Sequence, residues 1–166
     1  MVEKGVVNAR FQIPHLKHIE YVLAAKMRCR KLYIGITNPD PSCVRESVND
    51  EIRSTPAANP LTYLERYEMI RGAMEEFNVP LGDYEIVPFP IHRPEYITQY
   101  TPSDGVYYLG ICDGWDEEKL KILKGLDLKT EVLWRRSKEE CGVTGTWIRS
   151  CNATGQEWEQ LVPRAV

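Results

Sequence analysis

Five short apolar runs, each set apart from the next by a helical pattern or a polar turn, constrain this chain more than any other feature. They are Val6-Val7, Leu32-Tyr33-Ile34-Gly35-Ile36, Tyr84-Glu85-Ile86-Val87-Pro88, Val106-Tyr107-Tyr108-Leu109-Gly110-Ile111 and Lys129-Thr130-Glu131-Val132-Leu133-Trp134. Strands separated by helices cannot pair as hairpins. They pair side by side in parallel, and the crossover helices cover both faces of the sheet. The expected class is therefore α/β with a doubly wound parallel sheet. In such sheets ligands bind beyond the carboxyl ends of the strands, where helices begin. At 166 residues one domain spanning 1–166 is expected, with a short helical segment at its carboxyl end.

The segments between the runs support this alternation. Apolar spacing predicts a first helix from about His15 to Met27, with Ile19, Val22 and Leu23 as its buried stripe. Residues 38 to 60 carry four prolines and mixed charge. They read as a long loop with one helical turn near Val44–Ile52, and loops of that length are usually functional or mobile. Thr62 with Glu65 forms a capping-box pattern. Tyr63, Tyr67, Ile70, Met74 and Phe77 follow at helical spacing until Pro80 and Gly82 stop them. Asp116 to Lys124 is a short helix with Glu117 and Lys121 paired at i,i+4, and a closing helix begins at Thr146.

Charge and cysteine content exclude several function classes. The formal net charge of −3 argues against nucleic-acid binding through a global basic field, while leaving room for a local phosphate site. No apolar run approaches the ~18–20 residues of a membrane span, and the amino terminus lacks a signal-peptide layout. No membrane partner and a cytoplasmic location are expected. The five cysteines include no C-x-x-C pair, so they read as reduced thiols and not as a zinc or redox motif. Neither a Walker loop nor a G-x-S-x-G elbow is present.

Two stretches carry the chemistry. At the end of the first run, Asn8, Arg10 and Gln12 make a polar turn, and His15 and His18 then stand three apart at the start of the first helix. That spacing puts them on one helix face. The first turn of a helix attracts phosphate through its unpaired N–H groups and dipole. Near the carboxyl end, Gly142-Val143-Thr144-Gly145-Thr146-Trp147-Ile148-Arg149-Ser150 offers capping hydroxyls, a glycine that admits close approach, and a charged fork. Both stretches fall at strand-to-helix junctions.

Together they resemble the nucleotidyltransferase superfamily, whose early G-R-F-x-P-x-H-x-G-H and late I-S-x-T-x-I-R motifs are similar to residues 9–18 and 143–149 here. The archaeal type of nicotinamide mononucleotide adenylyltransferase is the nearest likeness, through Asn59-Pro60-Leu61-Thr62, Glu65-Arg66, Glu68-Met69-Ile70 and Trp158–Pro163. The resemblance implies a Rossmann-like fold and transfer of a nucleoside monophosphate from a triphosphate to a phosphorylated small molecule, with release of pyrophosphate. It implies His15, His18 and Arg149 as the catalytic group. Asn8, Ala9, Arg10, Phe11, Lys17, Thr144, Gly145 and Thr146 would then hold the nucleotide. Arg135 or Arg136 either reaches the triphosphate from the preceding loop or lies on the surface. Mg²⁺ carried mainly by the phosphates is expected, with no dedicated protein cage, and the family implies a homo-oligomer.

Substrate choice stays open at this level. Ala9 and Lys17 stand where the family pattern has glycines, and the proline falls at 14. Lys17, between two inward histidines, is expected to turn towards solvent. The loop after the third strand lacks the tryptophan that stacks on nicotinamide in the archaeal enzymes, and offers Tyr96 and Tyr100 for the acceptor. Adenylyl transfer to nicotinamide mononucleotide is the main expectation. The alternatives are cytidylyl transfer to a phosphate or phosphonate metabolite, and a nucleotide sensor without catalysis.

Overall fold

A computed structural model of the chain describes residues 1–43, 56–142, 145–155, 157 and 159–166. Five strands form one sheet in the order β3-β2-β1-β4-β5: β1 (Val2–Ala9), β2 (Cys29–Thr37), β3 (Tyr84–Phe89), β4 (Val106–Ile111) and β5 (Lys129–Arg135). Every neighbouring pair is parallel, as the strand–helix alternation requires. The helices are α1 (Leu16–Lys26), α2 (Tyr63–Glu76), α3 (Gly114–Gly125), α4 (Lys138–Cys141) and α5 (Gly145–Thr154). The helical turn read near Val44–Ile52 falls outside the described residues.

Alternation along the strands sorts the core into two layers. Val7 faces α1 and α2, where Ile19, Val22, Ile70 and Met74 are buried. Its neighbour Val6 faces the other way, towards Leu120 and Leu123 of α3. The stripe of α1 is Ile19, Val22 and Ala25, with Leu23 only partly covered. Burial of each large aliphatic side chain contributes about 1.5–3 kcal/mol. Thr62 caps α2 through the Glu65 N–H, and Glu65 accepts from the Thr62 N–H in return.

The central seam of the sheet is its shortest. β1 matches β2 over seven residue pairs but matches β4 over only two, Gly5 with Val106 and Val6 with Tyr107. Beyond Val6 the two strands part. The Tyr21 hydroxyl of α1 fills the gap, accepting from the Asn8 N–H at 3.4 Å and donating to the Tyr108 carbonyl. Burial pushes its phenol pKa well up, so it stays protonated as that donor. The order changes direction at β1, so a crevice opens at the switch point. Among the described residues, no helix is long and apolar enough to cross a membrane.

Two expectations are corrected here. Cys112 and Cys141, read as reduced thiols, form a disulfide, their Cα atoms 6.4 Å apart. The fold brings the β4–α3 junction against α4, and a separation of 29 residues gives no sequence signal of it. Cys29 and Cys151 are buried and carry no disulfide. Glu117, read as a partner of Lys121, meets Arg135 at the end of β5.

Candidate functional site

The crevice beyond β1 and β4 is a cavity of about 280 Å³. Asn8, Ala9, Arg10 and Phe11 enter its wall from the end of β1, and His15, Lys17 and His18 from the start of α1. The Asn8 side chain is buried there, with no hydrogen-bond partner for Oδ1 among the described residues. The wall continues over the strand edge to the opposite layer, where Ile91, His92, Trp115 and Lys119 line it. The cavity therefore has one lobe beside α1 and another beside α3.

Sequence determines the conformation of the histidine pair. His15 is the N-cap of α1, and the two rings make a reciprocal capping box. The His18 N–H donates to His15 Nδ1 at 3.3 Å, and the His15 N–H donates to His18 Nδ1 at 3.3 Å. An Nδ1 that accepts carries no proton, so the neutral rings hold theirs on Nε2. The rings stack with centroids 3.7 Å apart and planes within 16°. Burial, and then the positive charges of Arg149 and Lys17, lower the His15 pKa to about 4. At neutral pH His15 is thus an uncharged N–H donor.

The positive charge of Arg149 in the late stretch is felt at His15 in the early one. Ile148 of α5 packs with Ile13 and Val162 in a small apolar cluster, which docks α5 against the loop after β1. Gly145 and Thr146 form the first turn of α5. Thr144 lies outside the described residues.

Arg66, which spacing did not single out, ties the crevice loops together from below. It is 1% exposed. Its guanidinium donates to the carbonyls of Arg10 (3.0 Å), Thr37 (2.8 Å), Asn38 (2.8 Å) and Thr62 (3.1 Å). One side chain so fixes the ends of β1 and β2 and the start of α2, and burial lowers its pKa to about 10. Gln12 adds a second clamp, donating to the Leu61 carbonyl and accepting from the Leu61 N–H, both at 2.8 Å.

The remaining expected residues divide. Arg136 lines the cavity, whereas Arg135 is exposed and paired with Glu117. Lys17 is half-exposed at the rim and paired with Glu20 at 3.4 Å, so it sits on the cavity wall and in solvent at once. Tyr96 and Tyr100 are exposed, 49% and 47%, and do not line the cavity. The loop after β3 sends Ile91 and His92 there, while Tyr96 lies in the 3₁₀ segment Pro94–Gln99 that follows and Tyr100 caps its end. Among the described residues no group of three or more His, Cys, Asp or Glu is arranged to hold a metal.

No family model matches the sequence. The chain is 46% identical to phosphonoformate cytidylyltransferase of Streptomyces viridochromogenes over 162 residues, covering 98% of this chain and 87% of that protein. It is 26% identical to nicotinamide-nucleotide adenylyltransferase of Thermococcus kodakarensis over 174 residues, covering all of this chain and 81% of that one. Among solved structures, a bifunctional NMN adenylyltransferase/ADP ribose pyrophosphatase of Francisella tularensis superposes with a TM-score of 0.66 at 14% identity. That match covers 98% of this chain and only 44% of the bifunctional protein. A putative nicotinate-nucleotide adenylyltransferase of Vibrio parahaemolyticus gives a TM-score of 0.62 at 14% identity, covering 99% and 96% of the two chains. At such identity these structures establish the fold alone.

Proposed function

The chain belongs to the nucleotidyltransferase superfamily, and from that premise we propose that it transfers a cytidylyl group from CTP to a small phosphonate, releasing pyrophosphate. The observation that carries this reading is the 46% identity to a cytidylyltransferase across nearly the whole chain. The adenylyltransferase relatives, at 25–26%, support a second reading in which ATP and nicotinamide mononucleotide are the substrates.

In the proposed reaction a phosphonate oxygen of the acceptor attacks the α-phosphorus of the triphosphate. The bond from that phosphorus to the β-bridging oxygen breaks, and pyrophosphate leaves with the electron pair. Such a displacement needs alignment and charge stabilisation, not a protein nucleophile. His15 and His18 donate from Nε2 to the phosphate oxygens as charge builds on them. Because both Nδ1 atoms are fixed by backbone N–H groups, the donors need no reorientation during the reaction. Arg149, Arg10 and Lys17 supply positive charge around the triphosphate, and Thr144 and Thr146 of the late stretch are assigned to hold it. The Asn8 side chain has its oxygen ready for a donor on the substrate.

The cavity carboxylates Glu20 and Asp116 are already engaged: Glu20 is held by Arg136 and Lys17, and Asp116 accepts from the Cys112 N–H and faces Lys119. Mg²⁺ would therefore be carried by the triphosphate and completed by water, and would neutralise charge on the leaving group. The acceptor is assigned to the lobe beside α3, where Lys119 is buried at 9% exposure and His92 and Trp115 complete the wall. A homo-oligomer belongs to the same proposal.

Pyrophosphate release measured with each of four nucleoside triphosphates against phosphonoformate and nicotinamide mononucleotide tests the reading. CTP with phosphonoformate is expected to exceed ATP with nicotinamide mononucleotide by at least about tenfold in kcat/KM, a difference of ~1.4 kcal/mol. The reverse order would establish the adenylyl reading.

A further inference from the structure

Arg136 was grouped with the triphosphate ligands by its place in the sequence, but its surroundings point elsewhere. Its guanidinium faces Glu20 on two nitrogens, with Nη1 and Nη2 each 3.2 Å from Oε1 and Nη1 3.3 Å from Oε2. One flat face lies over the Trp134 ring at 4.0 Å from its centroid. Trp134 in turn rests on the backbone of Gly110, where a Cβ would come within 2.7 Å of the indole nitrogen. Any other residue at 110 would lift the indole away. All four residues line the cavity. Lys17 completes the array from the far side of Glu20, at 3.4 Å.

A guanidinium in this position has its charge balanced by a carboxylate and one face covered by an aromatic ring. What it offers the cavity is a second flat face, fixed in orientation. Phosphate recognition needs a free fork of donors, whereas a fixed, delocalised plane stacks on a heterocycle. We propose that Arg136, clamped on Trp134 by Glu20, is the shelf on which the nucleobase of the triphosphate stacks, and that Glu20 is the positioning residue for it. The inference rests on the reading that the cavity binds a nucleoside triphosphate, and it names the part of the wall that meets the base.

Calorimetric titration of the full chain with CTP, CMP and inorganic tripolyphosphate, each with Mg²⁺, tests the shelf. Arg136→Lys keeps the charge and loses the plane. Affinity for CTP and CMP is expected to fall about tenfold, within the ~1–3 kcal/mol per base attributed to stacking, and tripolyphosphate affinity to change less than twofold. Glu20→Gln frees Arg136 and Lys17 from their counter-charge. It is expected to weaken CMP several-fold while tripolyphosphate binds as well as before or more tightly, so the two ligands do not weaken together. If tripolyphosphate and CTP weaken in parallel in both variants, Arg136 is a phosphate ligand and the shelf is wrong. Unchanged binding of all three ligands would make the array a structural ion pair and would equally overturn it. Wild type that binds no nucleoside triphosphate would refute the functional reading itself, whereas binding wild type with unresponsive variants sinks only the shelf.

Discussion

His15 opens α1 as its N-cap, with an imidazole in place of the usual hydroxyl or carboxylate, and its Nε2–H is the group proposed to meet phosphate. Its pKa of about 4, against an ordinary 6.5, gives a definite stability signature. The unfolded chain binds a proton at this residue below pH 6.5 and the folded chain only near pH 4. The stabilising difference is therefore complete above pH 6.5 and is lost as the pH falls towards 4, to a total of about 3 kcal/mol. Chemical denaturation followed between pH 7 and 4 should show that loss, and His15→Asn, which keeps a capping side chain, should flatten it. An equally steep loss in the variant would assign the effect to other groups. For His18, replacement by Ala should cost ~10²–10³-fold in kcat, the scale of one fixed oxyanion donor, with a much smaller effect on nucleotide affinity. Near-full turnover would remove His18 from the transition state. Spacing put this pair on one helix face, and only the resemblance of the two stretches together gave it a catalytic reading. Reciprocal capping was not legible, since His lies outside the usual S-x-x-E pattern of capping boxes.

At the scale of elements, what the sequence revealed and what it concealed divide by range. β4 occupies Val106–Ile111 as the apolar run predicts, and the Thr62–Glu65 box starts α2 where expected, because strand patterning and capping are local. Arg66 was hidden inside a helical pattern: its partners are the carbonyls of Arg10, Thr37 and Asn38, up to 56 residues away. Tyr96 and Tyr100 stand exposed and off the cavity wall for the opposite reason. An aromatic residue in the right loop carries no information on which way a 3₁₀ turn sends it. The Cys112–Cys141 disulfide is likewise a long-range fact, joining the loop before α3 to α4 at the cavity wall. Closing 29 residues restricts the unfolded chain by about 3–4 kcal/mol in the chain-entropy account. Reduction should lower Tm by roughly 6–15 °C for a chain of this size. Thiol titration of unfolded, unreduced protein should find three of the five cysteines, and a count of five would contradict the bridge.

For the whole molecule, function follows from one topological choice. Sheet order reverses at β1, and the two-pair seam between β1 and β4 leaves the ends of both strands free to diverge. The crevice so formed is lined by His15, Lys17 and His18 at the start of α1 on one face and by Trp115 and Lys119 of α3 on the other. Local cations gather there although the chain carries a formal net charge of −3. Alternation of apolar runs made the sheet class readable, and the two stretches at strand ends pointed to the wall of this crevice. The proposed base shelf and acceptor wall were not readable, because they depend on how Glu20 of α1, Lys119 of α3, and Trp134 and Arg136 at the end of β5 converge. If this crevice joins a nucleotide to a phosphonate, as proposed, phosphorus NMR of the chain with CTP, Mg²⁺ and phosphonoformate detects the product itself. Two mutually coupled resonances of a new P–O–P linkage are expected, growing in step with pyrophosphate and absent with His18→Ala. Unchanged CTP, beside conversion of ATP and nicotinamide mononucleotide to their dinucleotide, would contradict the proposal.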